Sequence, residues 1–283
     1  MSREGLPESV TVSLGGLTLE AFSRSTVATY FHVPELGALF DAGACPGTAA
    51  SAPDVFVSHL HVDHAQGLPY YASHRNMLRM APGRIHVPPG TAAGVRAWLD
   101  QVAALQGPDG GRFAYELDEM EPGEERALRG RHAVRAFATD HGVPSLGFTV
   151  VERREKLLPE HALLGGEEIG RRKRAGETVT RIIETPVLTF LTDTGPRALD
   201  LHPEVGGSDV LVAECTFLAP EHLENARATK HLHLRDFAER AALFRCRKLV
   251  LTHFSLRYKE EEIRDWVRRA LPAELYERVA LLP

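Results

Sequence analysis

Cysteine is scarce in this 283-residue chain, and its three copies form no pattern: Cys45, Cys215 and Cys246 are odd in number and none shares a Cys-x-x-Cys spacing. That excludes a disulfide framework and points to reduced thiols in a cytoplasmic protein. No apolar run is long enough to span a bilayer, and Met1-Ser2-Arg3-Glu4-Gly5 does not read as the start of a signal peptide. The expectation is a protein with no membrane partner, cytoplasmic or inside an organelle. Strong charge of one sign is missing too. A net charge of −5 and a pI near 6.3 exclude a surface that is basic throughout, but not a local basic patch. Gly and Pro are spread along the chain, with no linker and no sequence repeat, so residues 1–283 read as one domain.

What is present is concentrated at one point. His59-Leu60-His61-Val62-Asp63-His64 packs four metal-type ligands into six residues. It follows a short apolar run over 54–58 that reads as a buried strand, so the ligands are expected on the loop at a strand's end. Neutral imidazole and carboxylate together suit Zn, Mn or Fe, and two cations need more ligands than one loop supplies.

Further candidates follow other apolar runs. The run 134–139 leads into Asp140-His141-Gly142, 187–192 into Asp193-Thr194-Gly195, and 248–252 into His253-Phe254-Ser255. A fifth, 209–213, ends in Glu214. Strands that deliver acids and imidazoles from the same end describe a site along one edge of layered sheets.

The remaining pattern is mixed α and β. Strands are expected over 10–14, 17–22 and 28–33. Helices are expected over 91–106 behind a Thr91 cap, over 234–244 and over 260–271. Strand-rich sequence followed by alternating β and α implies sheets covered by helices on their outer faces.

The His-x-His-x-Asp-His signature resembles the metallo-β-lactamase superfamily, which implies a four-layer αβ/βα sandwich with a dinuclear metal site between the sheets. Later segments are similar to ribonuclease Z, the tRNA 3′-end processing endonuclease, in its short form. They are Asp140-His141-Gly142-Val143-Pro144-Ser145-Leu146-Gly147-Phe148, Asp193-Thr194, Glu214-Cys215-Thr216-Phe217, His231, and the block His253-Phe254-Ser255-Leu256-Arg257-Tyr258. The resemblance runs from about Leu17 to Tyr258.

It implies two divalent cations, with Zn, Mn or Fe all suited to the donors. His59, His61 and His141 would hold one and Asp63, His64 and His253 the other, with Asp193 bridging. Asp63 would also orient an attacking water as a general base. The leaving oxygen needs a proton, for which His231 is the candidate donor and Glu214 the group that holds its imidazole and raises its pKa. His233, two residues on, is the alternative donor or a helix start. Ser255 and Arg257 would bind substrate phosphate. His32, His74, His86, His132, His161, His202 and His222 read as structural or surface residues.

The family's substrate arm would fall at about 152–180, where Arg153, Arg154, Lys156 and Arg171-Arg172-Lys173-Arg174 alternate with acids. The segment lacks the Gly-Pro-rich signature of the common bacterial arm, so it reads equally as a tRNA-binding arm or a solvated helix face. The resemblance implies an endoribonuclease acting on precursor tRNA as a homodimer. A phosphodiesterase on a cyclic nucleotide is the alternative, and a non-catalytic zinc protein that binds RNA is the third possibility.

Overall fold

The computed structural model describes residues 9–13, 15–107 and 112–282. Met1–Gly5 and Leu14, which entered the sequence expectations, lie outside them. Two seven-stranded sheets carry the architecture. The first holds β1 (Val10–Ser13), β2 (Thr18–Arg24), β3 (Ala28–Val33), β4 (Ala38–Phe40), β5 (Asp54–Phe56), β6 (Gly83–Val87) and β7 (Tyr115–Glu119). The second holds β8 (Glu125–Ala127), β9 (His132–Ala138), β10 (Leu146–Leu157), β11 (Thr180–Leu191), β12 (Val210–Glu214), β13 (Lys248–Thr252) and β14 (Val279–Leu281).

The sheets repeat one plan that the sequence conceals. Strands β1 to β4 pair antiparallel and β4 to β7 parallel. Strands β8 to β11 pair antiparallel and β11 to β14 parallel. In each half, the turn from antiparallel to parallel pairing falls at a strand followed by aspartate. Asp41 comes directly after β4, and Asp193 two residues past β11.

The described residues form nine helices, α1 (Val62–Ala65), α2 (Leu68–Met77), α3 (Ala92–Leu105), α4 (Gly166–Arg174), α5 (Arg197–Leu201), α6 (Leu223–Thr229), α7 (Leu234–Glu239), α8 (Glu260–Ala270) and α9 (Ala273–Tyr276), of which α2, α3, α7 and α8 pack on the outer faces of the sheets. Three buried cores separate four layers. One packs α2 and α3 on the first sheet through Tyr71, Leu99 and Val55. Another packs α7 and α8 on the second through Phe237, Ile263 and Leu249. The middle core lies between the sheets, where Phe40 stacks on Phe190 with ring centroids 4.0 Å apart and Phe56 meets Phe148 at 5.6 Å. Close-packed aromatics of this kind stiffen the strand ends that carry the candidate ligands. This is the metallo-β-lactamase sandwich.

Local expectations need three corrections. Asp63 and His64 sit in the single turn of α1, so the ligand motif is half helical instead of a loop. Thr91 does not cap α3 with its side chain, since its hydroxyl donates to Pro88 O at 2.6 Å while Glu119 accepts the Ala92 N–H at 2.7 Å. The helix expected over 234–244 stops at Glu239, and Ala241–Leu243 forms a 3₁₀ turn. Arg240 is tied to Asp200 and the Arg245 N–H donates to Gly206 O, so tertiary partners take over the chain there.

Candidate active site

Parallel strands present their carboxyl ends on one side of a sheet, and ligands bind in the crevice there. The segments following β4, β5, β9, β11 and β13, with the last residue of β12, bring Asp41, the His59–His64 motif, His141, Asp193, His253 and Glu214 to one edge. Ligand atoms of His59, His61, His141 and Asp193 lie within 4.8 Å of one another, as do those of Asp63, His64 and His253. A third group joins Asp193, His231 and His253 on the same criterion. The structure thus brings together all seven residues expected to hold metal, with Asp193 within reach of both histidine sets.

Four of the histidines share one arrangement, with Nδ1 turned outward to an oxygen. His64 meets Asp41 Oδ2 at 2.8 Å, His59 meets Ser58 Oγ at 3.0 Å, His141 meets the Lys230 carbonyl at 3.2 Å and His253 meets Thr216 Oγ1 at 3.0 Å. The Ser58 hydroxyl donates onward to Asp41 at 2.8 Å and that of Thr216 to Glu214 at 2.6 Å. Outward Nδ1–H bonds fix the tautomer that leaves Nε2 as a lone-pair donor. Those inner nitrogens converge: His64 Nε2 and His253 Nε2 are 3.3 Å apart, and His61 Nδ1 lies 3.0 Å from His59 Nε2. Asp193 Oδ1 is buried with no hydrogen-bond partner. Converging imidazole nitrogens around a buried carboxylate oxygen that makes no hydrogen bond fit divalent cations that accept nitrogen and oxygen donors.

The electrostatics follow from burial and crowding. Burial pushes the His59 imidazole well below its usual range, and neighbouring His64 adds to this. Burial would raise the Asp193 carboxyl, but His253 and His64 outweigh it and hold it well below. For His231, burial lowers the pKa while the Glu214 charge and hydrogen bond raise it more, giving about 9. The His231 Nδ1 to Glu214 Oε1 distance is 3.0 Å. His233 is occupied on both nitrogens: Nδ1 accepts the Arg235 N–H that caps α7, and Nε2 donates to Ala219 O. Of the alternatives for proton donor, His231 is the one facing the site.

Beside it runs a groove of about 610 Å³, lined by Thr26, Phe217, His231, Ser255, Leu256 and Arg257. Arg257 Nη1 donates to Ser255 Oγ at 3.1 Å, and its guanidinium lies 5.9 Å from the centre of the Phe217 ring. Four supporting residues carried no assigned role in the sequence reading: Asp41, Ser58, Thr216 and Lys230. Asp41 had a visible signal, because Leu39-Phe40-Asp41-Ala42-Gly43 ends an apolar run in an acid, as the other ligand segments do.

A family model described as a beta-lactamase superfamily domain matches residues 38–254. The tRNase Z TRZ1 of Arabidopsis thaliana is 34% identical over 96% of this chain and 96% of its own length. The chloroplastic tRNase Z TRZ2 of the same plant is 34% identical over 90% of this chain and 74% of its own. The chain belongs to the ribonuclease Z family. Among solved structures, the short form of human tRNase Z matches with a TM-score of 0.52 at 21% identity, covering 97% of this chain and 91% of that one. The Bacillus subtilis metallo-beta-lactamase fold protein YhfI matches at a TM-score of 0.59 and 12% identity, over 92% and 90% of the two chains. At these identities the structural likenesses show the fold alone.

The expected arm region is a long hairpin. Strands β10 and β11 pair to Leu157 and Thr180, and α4 lies in the connection between them. The basic run on α4 is largely paired. Arg171 bonds Glu168, Arg172 bonds Glu168 at 2.8 Å and Glu177 at 3.0 Å, and Lys173 bonds Glu155 at 3.2 Å. Lys156 and Arg181 face each other across the hairpin with no ion pair among the described residues, as does Arg174 at the end of α4. Of the histidines read as structural, His86 lies between Asp54 and Asp118 at 3.1 and 2.8 Å, and His222 bonds the Tyr258 hydroxyl.

Proposed function

We propose that this chain is a metal-dependent phosphodiester hydrolase that removes 3′ trailers from precursor tRNA. The observation that carries the reading is the Glu214–His231 pair at 3.0 Å, set between the converging ligands and a groove bearing Ser255 and Arg257. Hydrolysis of a β-lactam or thioester has no need of that phosphate-facing wall.

His59, His61 and His141 would hold one cation and Asp63, His64 and His253 another, with Asp193 between; the donors suit Zn, and also Mn or Fe. Cations there would supply Lewis acidity at the phosphate and lower the pKa of water. The chain's own residues do the rest. Asp63 accepts a proton from the attacking water and orients it. His231, carrying its proton at neutral pH because Glu214 stabilises the imidazolium, donates to the departing ribose oxygen. Arg257, oriented by Ser255, holds a non-bridging phosphate oxygen.

Residues 1–283 act as one domain in this reading, with 152–180 as a substrate arm. Paired α4 cations leave Lys156, Arg174 and Arg181 as the arm's phosphate contacts, each adding salt-sensitive affinity. A homodimer is the expected assembly, and Val62, Tyr70, Met77, Trp98 and Leu105, all exposed on α1 to α3, suit contact with a second copy. No helix among the described residues is long and apolar enough to cross a membrane, and a cytoplasmic or organellar interior fits a tRNA substrate.

Metal-reconstituted protein incubated with a 3′-trailered precursor tRNA tests the proposal. One cut beside the discriminator nucleotide supports it. Hydrolysis of a cyclic nucleotide with intact precursor replaces the substrate and keeps the chemistry.

A further inference from the structure

Five described non-glycine residues have left-handed backbone: Thr26, Asp41, Arg79, Lys230 and His253. Four of them touch the candidate site. Asp41 holds His64, Lys230 holds His141, His253 is itself a candidate ligand, and Thr26 donates its main-chain N–H to Asp63 Oδ2 at 2.8 Å. Left-handed conformations in non-glycine residues persist where the surroundings over-determine them, and they gather at functional sites. Thr26 is the most costly of the set, because a branched Cβ at φ 66° crowds the backbone.

The turn between β2 and β3 that carries Thr26 is closed by one bond of its own and anchored from two other segments. The Val27 N–H donates to Arg24 O at 3.0 Å and closes the turn itself. Arg24 Nη2 donates to Tyr258 O at 2.6 Å, and the Ser25 N–H to Phe254 O at 3.4 Å, which docks the turn on the loop past β13. Gln66 Nε2 donates to Val27 O at 3.2 Å from the segment after α1. A turn of the first sheet is thereby pinned to the loop of the second that carries His253, Ser255 and Arg257. Its one bond into the site is the one to Asp63, whose Oδ2 also lies 3.6 Å from His253 Nε2 and 4.0 Å from His64 Nε2.

We propose that Thr26 is a positioning residue whose main-chain N–H fixes the rotation of the Asp63 carboxylate toward His64 and His253. The inference rests on the reading of Asp63 given above. Its warrant is geometric: a carboxylate 16% exposed at the mouth of the site turns freely about its own bond unless a directional donor holds it. The strained φ aims the donor, and the bonds to Tyr258, Phe254 and Gln66 on neighbouring elements hold it there.

The test removes one N–H at a time without changing a side chain. Threonine 26 is replaced by its α-hydroxy analogue through nonsense suppression, which exchanges the amide for an ester. The control places the same exchange at Val27, deleting the turn's internal bond and leaving the bond to Asp63 in place. In the ester at 26, kcat on precursor tRNA falls about 10- to 100-fold with little change in KM, the loss expected for one hydrogen bond to a charged group. Metal retention against a chelator falls with it, as outer partners of a ligand predict. In the ester at 27, thermal stability drops while kcat and metal retention stay near wild type. Equal losses at 26 and 27, or wild-type kcat and retention at 26, overturn the proposal. Should the wild type cleave no phosphodiester, the functional reading fails, and chelator resistance in the two esters still decides the positioning role.

Discussion

Asp41 and His64, 23 residues apart in sequence, meet in the core with Oδ2 and Nδ1 separated by 2.8 Å, and both are almost fully buried. Asp41 also accepts the Ser58 N–H at 2.6 Å and the Ser58 hydroxyl at 2.8 Å. One carboxylate therefore holds two adjacent ligand arms, His64 directly and His59 through Ser58. Asp41→Asn keeps the volume and replaces one acceptor by a donor that faces other donors. A fall of about 10- to 100-fold in metal affinity or turnover is expected, with the fold intact by circular dichroism. Metal content after dialysis against a chelator checks it.

Asp63→Ala removes a candidate ligand and the group that orients water. Turnover should be abolished at any metal concentration in the assay. Activity near wild type would show that another group positions the nucleophile.

The pH dependence follows from the Glu214–His231 pair. Burial lowers the His231 pKa and Glu214 raises it further, to about 9, above the ordinary 6.5. A raised histidine keeps its proton, and the stability that proton brings, fully below about pH 6.5 and loses both as pH rises through about 9. Cations held beside it would pull that upper value down. The alkaline limb of kcat should thus lie no higher than about pH 9 and move toward lower pH in Glu214→Gln. His231→Ala should slow the chemical step with normal metal content. Loss of metal in that variant would make His231 a ligand.

The clustering of the candidate ligands was legible because their segments follow apolar strand-like runs, and the His59–His64 spacing is dense enough to stand alone. Asp41 follows the same rule, although a single acid before Ala42-Gly43 also fits a turn. Ser58, Thr216 and Lys230 act through a hydroxyl or a main-chain carbonyl, which leaves no trace in residue type or period. Strand 28–33 and strand 248–252 match the expected bounds, because both are buried on both faces. Helix 234–244 was overextended because apolar spacing does not report that Arg240 and Arg245 are held by Asp200 and Gly206. The repeat of three antiparallel and three parallel pairings lies in backbone topology, with no matching residues to display it.

Gly43 packs where a side chain has no room. A Cβ there would meet the Asp63 carbonyl oxygen at 1.7 Å and Thr29 N at 2.5 Å, both backbone atoms that cannot swing aside. Gly43→Ala should destabilise by more than about 3 kcal/mol in urea unfolding, or prevent recovery of folded protein. A wild-type midpoint would mean that α1 can shift away from β3.

The hairpin arm should be separable from the chemistry. Because Leu157 pairs with Thr180, replacing residues 158–179 by Asn-Gly closes β10 and β11 in register. Binding of folded precursor tRNA should weaken, while hydrolysis of bis-p-nitrophenyl phosphate stays near wild type. Equal loss on both substrates would assign the arm to the fold.

The most direct measurement is mapping of the cut in a 3′-trailered precursor tRNA by metal-reconstituted wild type, with His231→Ala and a panel of cyclic nucleotides alongside. A single cleavage beside the discriminator nucleotide, leaving a 3′-hydroxyl and slowed by His231→Ala, is the predicted result. An intact precursor beside rapid hydrolysis of a cyclic nucleotide would contradict it.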